Sequence, residues 1–277
     1  MTTVATPPIV FDSLLVTVRA VEDLSPHLRR VTFVAPRLAE AVTAGPDQRI
    51  KVLLPPPNGG ELKLPTGENW YVDWCGQPEA ERVIMRTYTI RALRADQHEL
   101  DIEFVLHGVD GPASAWATNA VPGQEIGMFL PFGVDTTSIK GMLNSGVDYV
   151  PPSSSVHRVL IADETALPAL AGILEELEPG VHATVFAQVP DERDIRPLPT
   201  AGTADVTWIT AVPASDAELP LLEALKAAAL PETVDFAWVA GESAMIKAVR
   251  RHLVNVVGLP KPAISFQGYW KRGEAIG

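Results

Sequence analysis

The 277-residue chain changes character near its middle, and this change limits the possible folds more than any single motif does. Up to about residue 132, apolar side chains alternate in short runs typical of β-strands, with no long helical pattern. After residue 156, short apolar strands alternate with helical segments. The stretch between Phe132 and His157 is rich in glycine, serine and proline. The pattern predicts two domains, 1–135 and 156–277, joined by a linker at 136–155.

The first half contains six short predicted strands separated by turns. They are predicted at 14–20, 28–34, 49–54, 83–91, 98–106 and 125–130. A run of this kind closes most simply into a six-stranded antiparallel β-barrel. The segment 55–81 is rich in proline, glycine and tryptophan, and it is predicted to be a long loop. Loops of that length are often functional.

The second half has the strand–helix rhythm of a doubly wound parallel sheet. Strands are predicted at 156–162, 183–187, 205–209 and 234–240, and helices at 165–177, 216–228 and 242–257. Such sheets bind ligands at the carboxyl ends of their strands. Asp163 follows the first strand and Glu242 the fourth, although Asp163 or Glu164 could equally serve as a helix cap. No Gly-x-Gly-x-x-Gly motif follows the first strand.

The stretch Arg86-Thr-Tyr-Thr-Ile-Arg91 has the side chains that a planar, phosphorylated ligand requires. The phenol of Tyr88 can lie against a ring system, and the hydroxyl of Thr89 can reach a ring heteroatom. The guanidinium groups of Arg86 and Arg91 are matched to phosphate by bidentate hydrogen bonding. A half-exposed strand with a solvated cationic face remains the alternative interpretation.

A second motif begins at His107, after the predicted strand 98–106. Gly111-Pro112 is predicted to open a short helix, since proline is well tolerated in a first helical turn. Backbone N–H groups at such a helix start, together with the helix dipole, can bind an anion such as phosphate.

Together the two motifs resemble the flavin-binding half of the siderophore-interacting protein family, whose members are FAD-dependent ferric-siderophore reductases of the ferredoxin-reductase-like superfamily. The string His-Gly-x-x-Gly-Pro-Ala-Ser-x-Trp-Ala is the more specific of the two. The resemblance implies that Arg86 binds flavin phosphate or ribitol, Tyr88 packs on the isoalloxazine and Thr89 hydrogen-bonds near N5. It assigns the pyrophosphate and adenine side to His107, Gly111, Ala113, Ser114 and Trp116.

The second half resembles the same family. Asp-Glu-Thr-Ala-Leu-Pro-Ala begins at Asp163, and Gly241-Glu242 precedes the last helix. The resemblance implies a nicotinamide nucleotide site in which Thr165 and Ala166 are the main contacts. NADPH is the expected donor and NADH the alternative, because Arg193 and Arg196 could bind a 2′-phosphate, although both could equally be solvated loop residues. The Gly-Tyr-Trp-Lys-Arg-Gly string near the C-terminus implies that Trp270 approaches the flavin.

The resemblance also implies a substrate, a ferric siderophore of anionic catecholate or mixed type. Reduction of Fe(III) to Fe(II) weakens its binding to hard oxygen ligands and releases it for iron assimilation. A protein with a formal net charge of −12 needs a local basic cluster for such a polyanion, and Lys51, Lys271 and Arg272 are the residues carried over for it. No metal ligand is predicted, because the six histidines lack ligand spacing.

Composition narrows the remaining classes of function. The net negative charge argues against binding to nucleic acid. No apolar run is long enough to span a bilayer, and residues 1–8 lack the pattern of a signal peptide. With Cys75 as the single cysteine, these features predict a cytoplasmic protein. A monomer is the expected oligomeric state, although these features do not determine it. Three alternatives remain open: ferredoxin as the electron donor, another NAD(P)H:flavin oxidoreductase on the same fold, and a noncatalytic siderophore-binding module.

Overall fold

The protein is described from a computed structural model, which describes residues 10–67, 69–108, 111–133, 146–211 and 219–273. The chain divides into two compact units between Val147 and Asp148, and each unit is treated by itself. The domain bounds expected from the sequence, 1–135 and 156–277, stay a prediction. Residues 136–145 of the expected linker lie outside the described residues.

The first unit is built on a curled antiparallel sheet of seven strands in the order β4-β3-β7-β1-β2-β6-β5. The strands are β1 Val10–Ser25, β2 Leu28–Val34, β3 Arg49–Leu54, β4 Ile84–Thr89, β5 Ala92–Arg94, β6 Glu99–Val105 and β7 Glu125–Phe132. The sheet curls so that the Tyr88 ring of β4 lies 4.5 Å from the Phe104 ring of β6. The core fills the space inside this curl.

The sheet has seven strands where six were predicted, because the predicted strand 83–91 is divided. The Ile90 N–H donates to the carbonyl of Gln48 beside β3 at 2.8 Å, and the Arg91 N–H donates to the carbonyl of Asp101 in β6 at 2.9 Å. The chain thus changes its pairing partner between Ile90 and Arg91, and β5 then continues along β6. The alternation of side chains continues through such a change of partner, so the sequence pattern does not reveal it.

Strand β6 separates an apolar face from an ionic one. Its residues Leu100, Ile102 and Phe104 belong to the core, while the alternate residues Glu99, Asp101 and Glu103 are also buried, on the other face. Arginines pair with these carboxylates: Arg94 makes a bidentate pair with Asp101 at 2.8 Å, and Arg30 Nη2 lies 2.6 Å from Glu103 Oε1. Pairing with a cation offsets part of the free-energy cost of removing a carboxylate from water.

A cover segment, residues 61–67 and 69–83, packs on the outer face of β3 and β7. It includes helix α1, Trp70–Gly76, so the prediction of an irregular loop is wrong for this part. The Trp70 ring lies 4.3 Å from the Phe129 ring, and the Trp74 indole N–H donates to the Val83 carbonyl at 2.9 Å. Leu64 packs over Gly127, where an added Cβ would lie 2.3 Å from the leucine side chain. Burial of its aromatic rings against the sheet therefore holds the segment in place.

The second unit is a five-stranded parallel sheet in the order β10-β9-β8-β11-β12, covered by helices on both faces. Its strands are β8 His157–Ala162, β9 His182–Val189, β10 Thr203–Thr210, β11 Phe236–Glu242 and β12 Ile264–Trp270. Its described α-helices are α3 Leu167–Glu175, α4 Pro220–Ala227 and α5 Ser243–His252. The first unit contains α2, Pro112–Thr118, in addition to α1. The doubly wound architecture expected from the sequence is confirmed.

Within the part of the chain that the structure describes, no helix is both long and apolar enough to cross a bilayer. The same residues contain no group of three or more histidine, cysteine, aspartate or glutamate side chains arranged to hold a metal ion.

Candidate functional site

A polar patch, defined by Arg49, Lys51, Thr87 and Thr89, occupies the face of β3 and β4 that points away from the core. Arg49 pairs across the strands with Thr89, and Lys51 with Thr87. Lys51 Nζ donates to Thr87 Oγ1 at 2.8 Å. Burial and the positive charge of Arg49 lower the pKa of Lys51. An anionic ligand bound here would oppose that shift and favour the charged ammonium.

The packing of a simple strand does not explain the environment of the Thr89 hydroxyl. Thr89 is 4% exposed, and its hydroxyl oxygen has no hydrogen-bond partner among the described residues. Leaving a buried hydroxyl without a partner costs about 1–3 kcal/mol. A ring heteroatom of a bound ligand would provide the missing partner.

Arg86 and Tyr88 lie on the opposite face of β4, paired with Val52 and Ile50. The guanidinium of Arg86 donates to the Met85 carbonyl at 2.8 Å, and no carboxylate among the described residues pairs with it. Burial raises the pKa of Tyr88, and the positive charge of Arg86 opposes that rise. Arg86 is therefore an arginine whose position in the sheet leaves it available for an anion.

Arg91 differs from Arg86 in having a carboxylate partner. Its Nε lies 3.4 Å from Glu103 Oε1, and its side chain is 14% exposed. The same carboxylate oxygen accepts a hydrogen bond from Arg30. The structure thus gives Arg91 a part in the ion pairs of β6, and its predicted phosphate contact stays a prediction.

The loop before α2 is held by Ser114, whose side chain is buried. Its hydroxyl accepts a hydrogen bond from the His107 N–H at 3.0 Å and donates to the Gly108 carbonyl at 2.6 Å. A Cβ at Gly111 would lie 2.6 Å from His107 Cε1, so only glycine allows this approach. These contacts fix the positions of His107 and Gly111, which the family resemblance assigns to the pyrophosphate and adenine side.

Two other residues predicted to contact the flavin nucleotide pack with the core. Ala113 is 6% exposed, and the partly buried Trp116 lies with its ring 5.5 Å from Phe104 and 6.1 Å from Phe33. Because Trp116 is only partly buried, part of its surface is open to a ligand. Its role at the adenine side stays a prediction.

In the second unit, Asp163 joins the ends of three neighbouring parallel strands. One carboxylate oxygen, Oδ1, accepts from Thr165 N at 3.0 Å and from Thr165 Oγ1 at 2.5 Å. The other, Oδ2, accepts from Glu242 N at 2.7 Å and from Trp270 Nε1 at 2.8 Å. Burial raises the pKa of Asp163, and these hydrogen bonds oppose that rise. Both oxygens are thus occupied by groups of the protein itself.

Gly241 and Glu242 complete this arrangement. Gly241 has a φ of +141°, and a Cβ there would lie 2.4 Å from Asp163 Oδ2. The Glu242 carboxylate accepts from the backbone N–H groups of Ala244 and Met245 at 2.5 and 2.9 Å, so it caps α5. Asp163 and Glu242 therefore have capping roles, which the sequence pattern had allowed for Asp163 but not for Glu242, and Ala166 is buried beside them. Their direct contact with a nucleotide stays a prediction.

Glu164 was considered from the sequence only as a helix cap, and its environment is unusual. Burial, with the negative charges of Asp163 and Asp194, raises the pKa of Glu164 to about 8, and Arg272 opposes this rise. Glu164 lies just after the first strand of a parallel sheet, where such folds bind their ligands. This position is the sequence signal that could have identified Glu164 as a candidate site residue.

Glu164→Gln is expected to flatten the dependence of stability on pH. The folded state holds the Glu164 proton more tightly than the unfolded state, whose reference pKa is 4.5. The stabilisation that comes from this tighter proton binding is therefore fully present below pH 4.5 and is lost as the pH rises toward about 8. Thermal unfolding across that range should show a smaller decline for the variant than for the wild type. Glu192→Gln, at an exposed position of the same unit, is the control. Identical profiles would contradict the assignment.

The three predicted substrate residues fall in different units. Lys51 belongs to the first unit, while Lys271 and Arg272 follow β12 in the second. Their convergence on one substrate stays a prediction.

Comparisons with known proteins now bear on both units. Residues 17–135 match the family model described as "Siderophore-interacting FAD-binding domain", and residues 156–273 match that of "Siderophore-interacting protein". Ferric vibriobactin reductase ViuB of Vibrio cholerae is 31% identical over 253 residues, which cover 91% of this chain and 86% of ViuB. The chain belongs to the siderophore-interacting protein family.

Solved structures agree with this assignment. A siderophore utilization protein from T. fusca is 32% identical, with a TM-score of 0.79 over 99% of this chain and 97% of that one. The siderophore-interacting protein SipS from Aeromonas hydrophila is 29% identical, with a TM-score of 0.76 over 96% and 94% of the two chains. The ferredoxin reductase in carbazole 1,9a-dioxygenase, at 16% identity and a TM-score of 0.61 over 95% of this chain and 70% of that one, shares the fold.

The residues of the first unit fit the FAD that this siderophore-interacting FAD-binding domain implies. Thr89 has a buried hydroxyl that lacks a partner in the described part of the chain. Arg86 has no carboxylate partner among the described residues, which leaves its guanidinium for phosphate. At Gly111 the absence of a side chain brings backbone close to the His107 ring. The first two features suit an anionic, ring-containing ligand.

Proposed function

We propose that the protein is an FAD-dependent ferric-siderophore reductase, an NAD(P)H-dependent flavoprotein oxidoreductase that releases Fe(II) for iron assimilation. The observation that carries this proposal is the buried Thr89 hydroxyl, which lacks a partner among the described residues and shares one face of the sheet with Lys51. A hydrogen-bonding position for a ring heteroatom thus lies within the same patch as a cation suited to an anionic chelate.

FAD, when bound, supplies the transfer of electrons from a two-electron donor to Fe(III). The residues that we propose to hold it are those of β4 and of the loop before α2. Arg86 binds the phosphate or ribitol, Tyr88 lies along the ring system and Thr89 donates to a ring nitrogen. Further contacts are proposed for Arg91, His107, Gly111, Ala113, Ser114, Trp116 and Trp270.

A nicotinamide nucleotide is the proposed donor, bound at the carboxyl ends of β8 and β11. Thr165 and Ala166 are the proposed contacts, held in position by Asp163 with Gly241 and Glu242. NADPH is preferred and NADH is the alternative. Arg193 is an exposed guanidinium beyond β9 that could meet a 2′-phosphate, although its bidentate pair with Asp191, at 2.9 and 2.6 Å, would have to open.

The proposed substrate is an anionic ferric siderophore of catecholate or mixed type, bound by Lys51, Lys271 and Arg272. Fe(II) binds hard oxygen ligands less tightly than Fe(III), so reduction releases the metal without a protein ligand for iron. We further propose that the protein acts as a cytoplasmic monomer, and that ferredoxin is the alternative donor.

The proposal predicts that the purified protein has flavin absorption bands, or acquires them with added FAD. These bands should bleach under anaerobic NADPH and, more slowly, under NADH. Addition of a ferric chelate should restore them while a ferrous-specific chromogenic chelator develops colour. Thr89→Val is the matched variant, because valine has nearly the same shape and carries a methyl group in place of the hydroxyl. The variant should retain the fold and bind FAD more weakly.

Each contrary outcome has a distinct meaning. A protein that binds the chelate but cannot be reconstituted with FAD would indicate a noncatalytic binding module. Flavin that bleaches with NADPH but does not recover with any ferric chelate would indicate another flavin oxidoreductase on the same fold.

A further inference from the structure

The cover segment divides the outer face of the first sheet into an apolar part and the polar patch. Leu64 and Trp74 pack over the apolar part, with Leu53, Met85 and Phe129 beneath the segment. The segment is fixed there by Leu64 over Gly127 and by a hydrogen bond from the Ser13 hydroxyl to the Pro65 carbonyl. Helix α1 therefore has a defined position at the edge of the patch.

The boundary between the two parts runs between Lys51 and Phe129. These residues are direct partners across β3 and β7, so their side chains point to the same face and lie close together. The Trp70 ring lies 4.3 Å from the Phe129 ring. Trp70 is thus separated from the Lys51 position by a single ring.

Tyr71 extends this aromatic surface outward. Its ring lies 5.5 Å from that of Trp70 in an edge-to-face arrangement and 5.9 Å from that of Trp74. Tyr71 is 56% exposed, so most of its surface does not contribute to packing. An exposed ring on a helix that packs against the same sheet face as Lys51 is a suitable surface for a ligand that is both aromatic and anionic.

We propose that Trp70 and Tyr71 form an aromatic wall that selects iron chelates with aromatic ligand groups over aliphatic chelates of similar charge. The proposal rests on the proposed function and deepens it. Catecholate and phenolate chelates present flat rings at their surface, together with net negative charge. Lys51 interacts with the charge of either class of chelate, whereas the two rings of α1 distinguish the classes by stacking.

The test compares two anionic chelates that differ in aromatic character, ferric 2,3-dihydroxybenzoate and ferric citrate. Dissociation constants are measured with the oxidised, FAD-loaded protein by equilibrium dialysis, with iron determined in both chambers. Tyr71→Ala is expected to weaken binding of the dihydroxybenzoate complex by about fivefold, the size of one aromatic contact. Its affinity for ferric citrate should remain the same.

Three further variants complete the design. Val72→Ala changes a neighbouring position that is 69% exposed and carries no ring, so it should affect neither chelate. Lys51→Ala should weaken binding of both, because it removes charge. Trp70→Leu should act like Tyr71→Ala but more strongly, with thermal unfolding as the check on its packing against Phe129.

The inference is overturned if Tyr71→Ala and Trp70→Leu change both affinities equally, or change neither. Reduction of ferric chelates by the wild type would then leave the proposed function standing without the aromatic wall. Failure of the wild type to bind or reduce either chelate, despite flavin that bleaches with NADPH, would overturn the proposed function together with the inference.

Discussion

Asp163→Asn is expected to lower the free energy of unfolding by about 3 kcal/mol, because it leaves buried donors without acceptors. The carboxylate accepts hydrogen bonds at both oxygens, from Thr165 on one side and from Glu242 and Trp270 on the other. An asparagine side chain is nearly the same size, but its amide nitrogen is a donor. Whichever way the amide lies, it turns a donor toward donors of the protein.

The same substitution should raise the KM for NADPH by about tenfold, since groups displaced from their bound geometry lose much of their effect. Asp163 acts here as a positioning residue, which fixes Thr165, the Gly241–Glu242 bend and the end of β12. Urea unfolding and steady-state kinetics are the measurements. A purely structural role would lower stability and leave KM unchanged.

Trp270→Phe provides the matched control, because it removes one donor and leaves the charge in place. Its effect on the free energy of unfolding should be smaller, about 1 kcal/mol. In the double variant the two effects should not add, since both disturb the same hydrogen-bonded cluster. Strict additivity would show that Asp163 and Trp270 do not act together, and would contradict the positioning role.

The location of this cluster could be predicted from the sequence, but its internal bonding could not. Periodicity placed Asp163 at the end of the first parallel strand, which is where such folds bind ligands. The partner Trp270 lies 107 residues further along the chain. The contact depends on the parallel pairing of β11 with β12, and no local pattern encodes the pairing of distant strands.

The outer face of the first sheet shows a similar limit. Composition marked 55–81 as a long loop, because proline and glycine dominate the start of that segment. Helix α1 forms because two partly buried rings anchor it to the sheet. The Trp70 ring packs against Phe129, and the Arg82 guanidinium lies 4.6 Å from the Trp74 ring. Tertiary packing of this kind overrides weak local helix propensity, so the helix could be predicted only once the sheet was known.

Arg86→Ala is expected to weaken FAD binding by about thirtyfold, which is the size of a charge-assisted hydrogen bond to phosphate. The fold should remain intact, because the described side-chain hydrogen bond of Arg86 is to the neighbouring Met85 carbonyl. Equilibrium titration of the apoprotein with FAD gives the affinity, and thermal unfolding gives the stability. A variant that unfolds readily yet retains wild-type FAD affinity when folded would contradict the assignment.

Arg91→Ala is the matched comparison, because Arg86 and Arg91 lie at the two ends of the same sequence motif and the motif alone does not distinguish them. Arg91 lies 3.4 Å from the buried Glu103, so its loss removes one of the cations that face that carboxylate, although Arg30 remains. We expect a loss of about 2 kcal/mol of stability and a smaller effect on FAD than for Arg86→Ala. Equal loss of flavin from both variants, with stability unchanged in both, would instead give the two arginines equal parts in FAD binding. The expected difference between the two variants depends on Glu103, which lies on β6, twelve residues beyond Arg91. The comparison therefore tests whether a buried carboxylate partner determines which arginine contributes more to FAD binding.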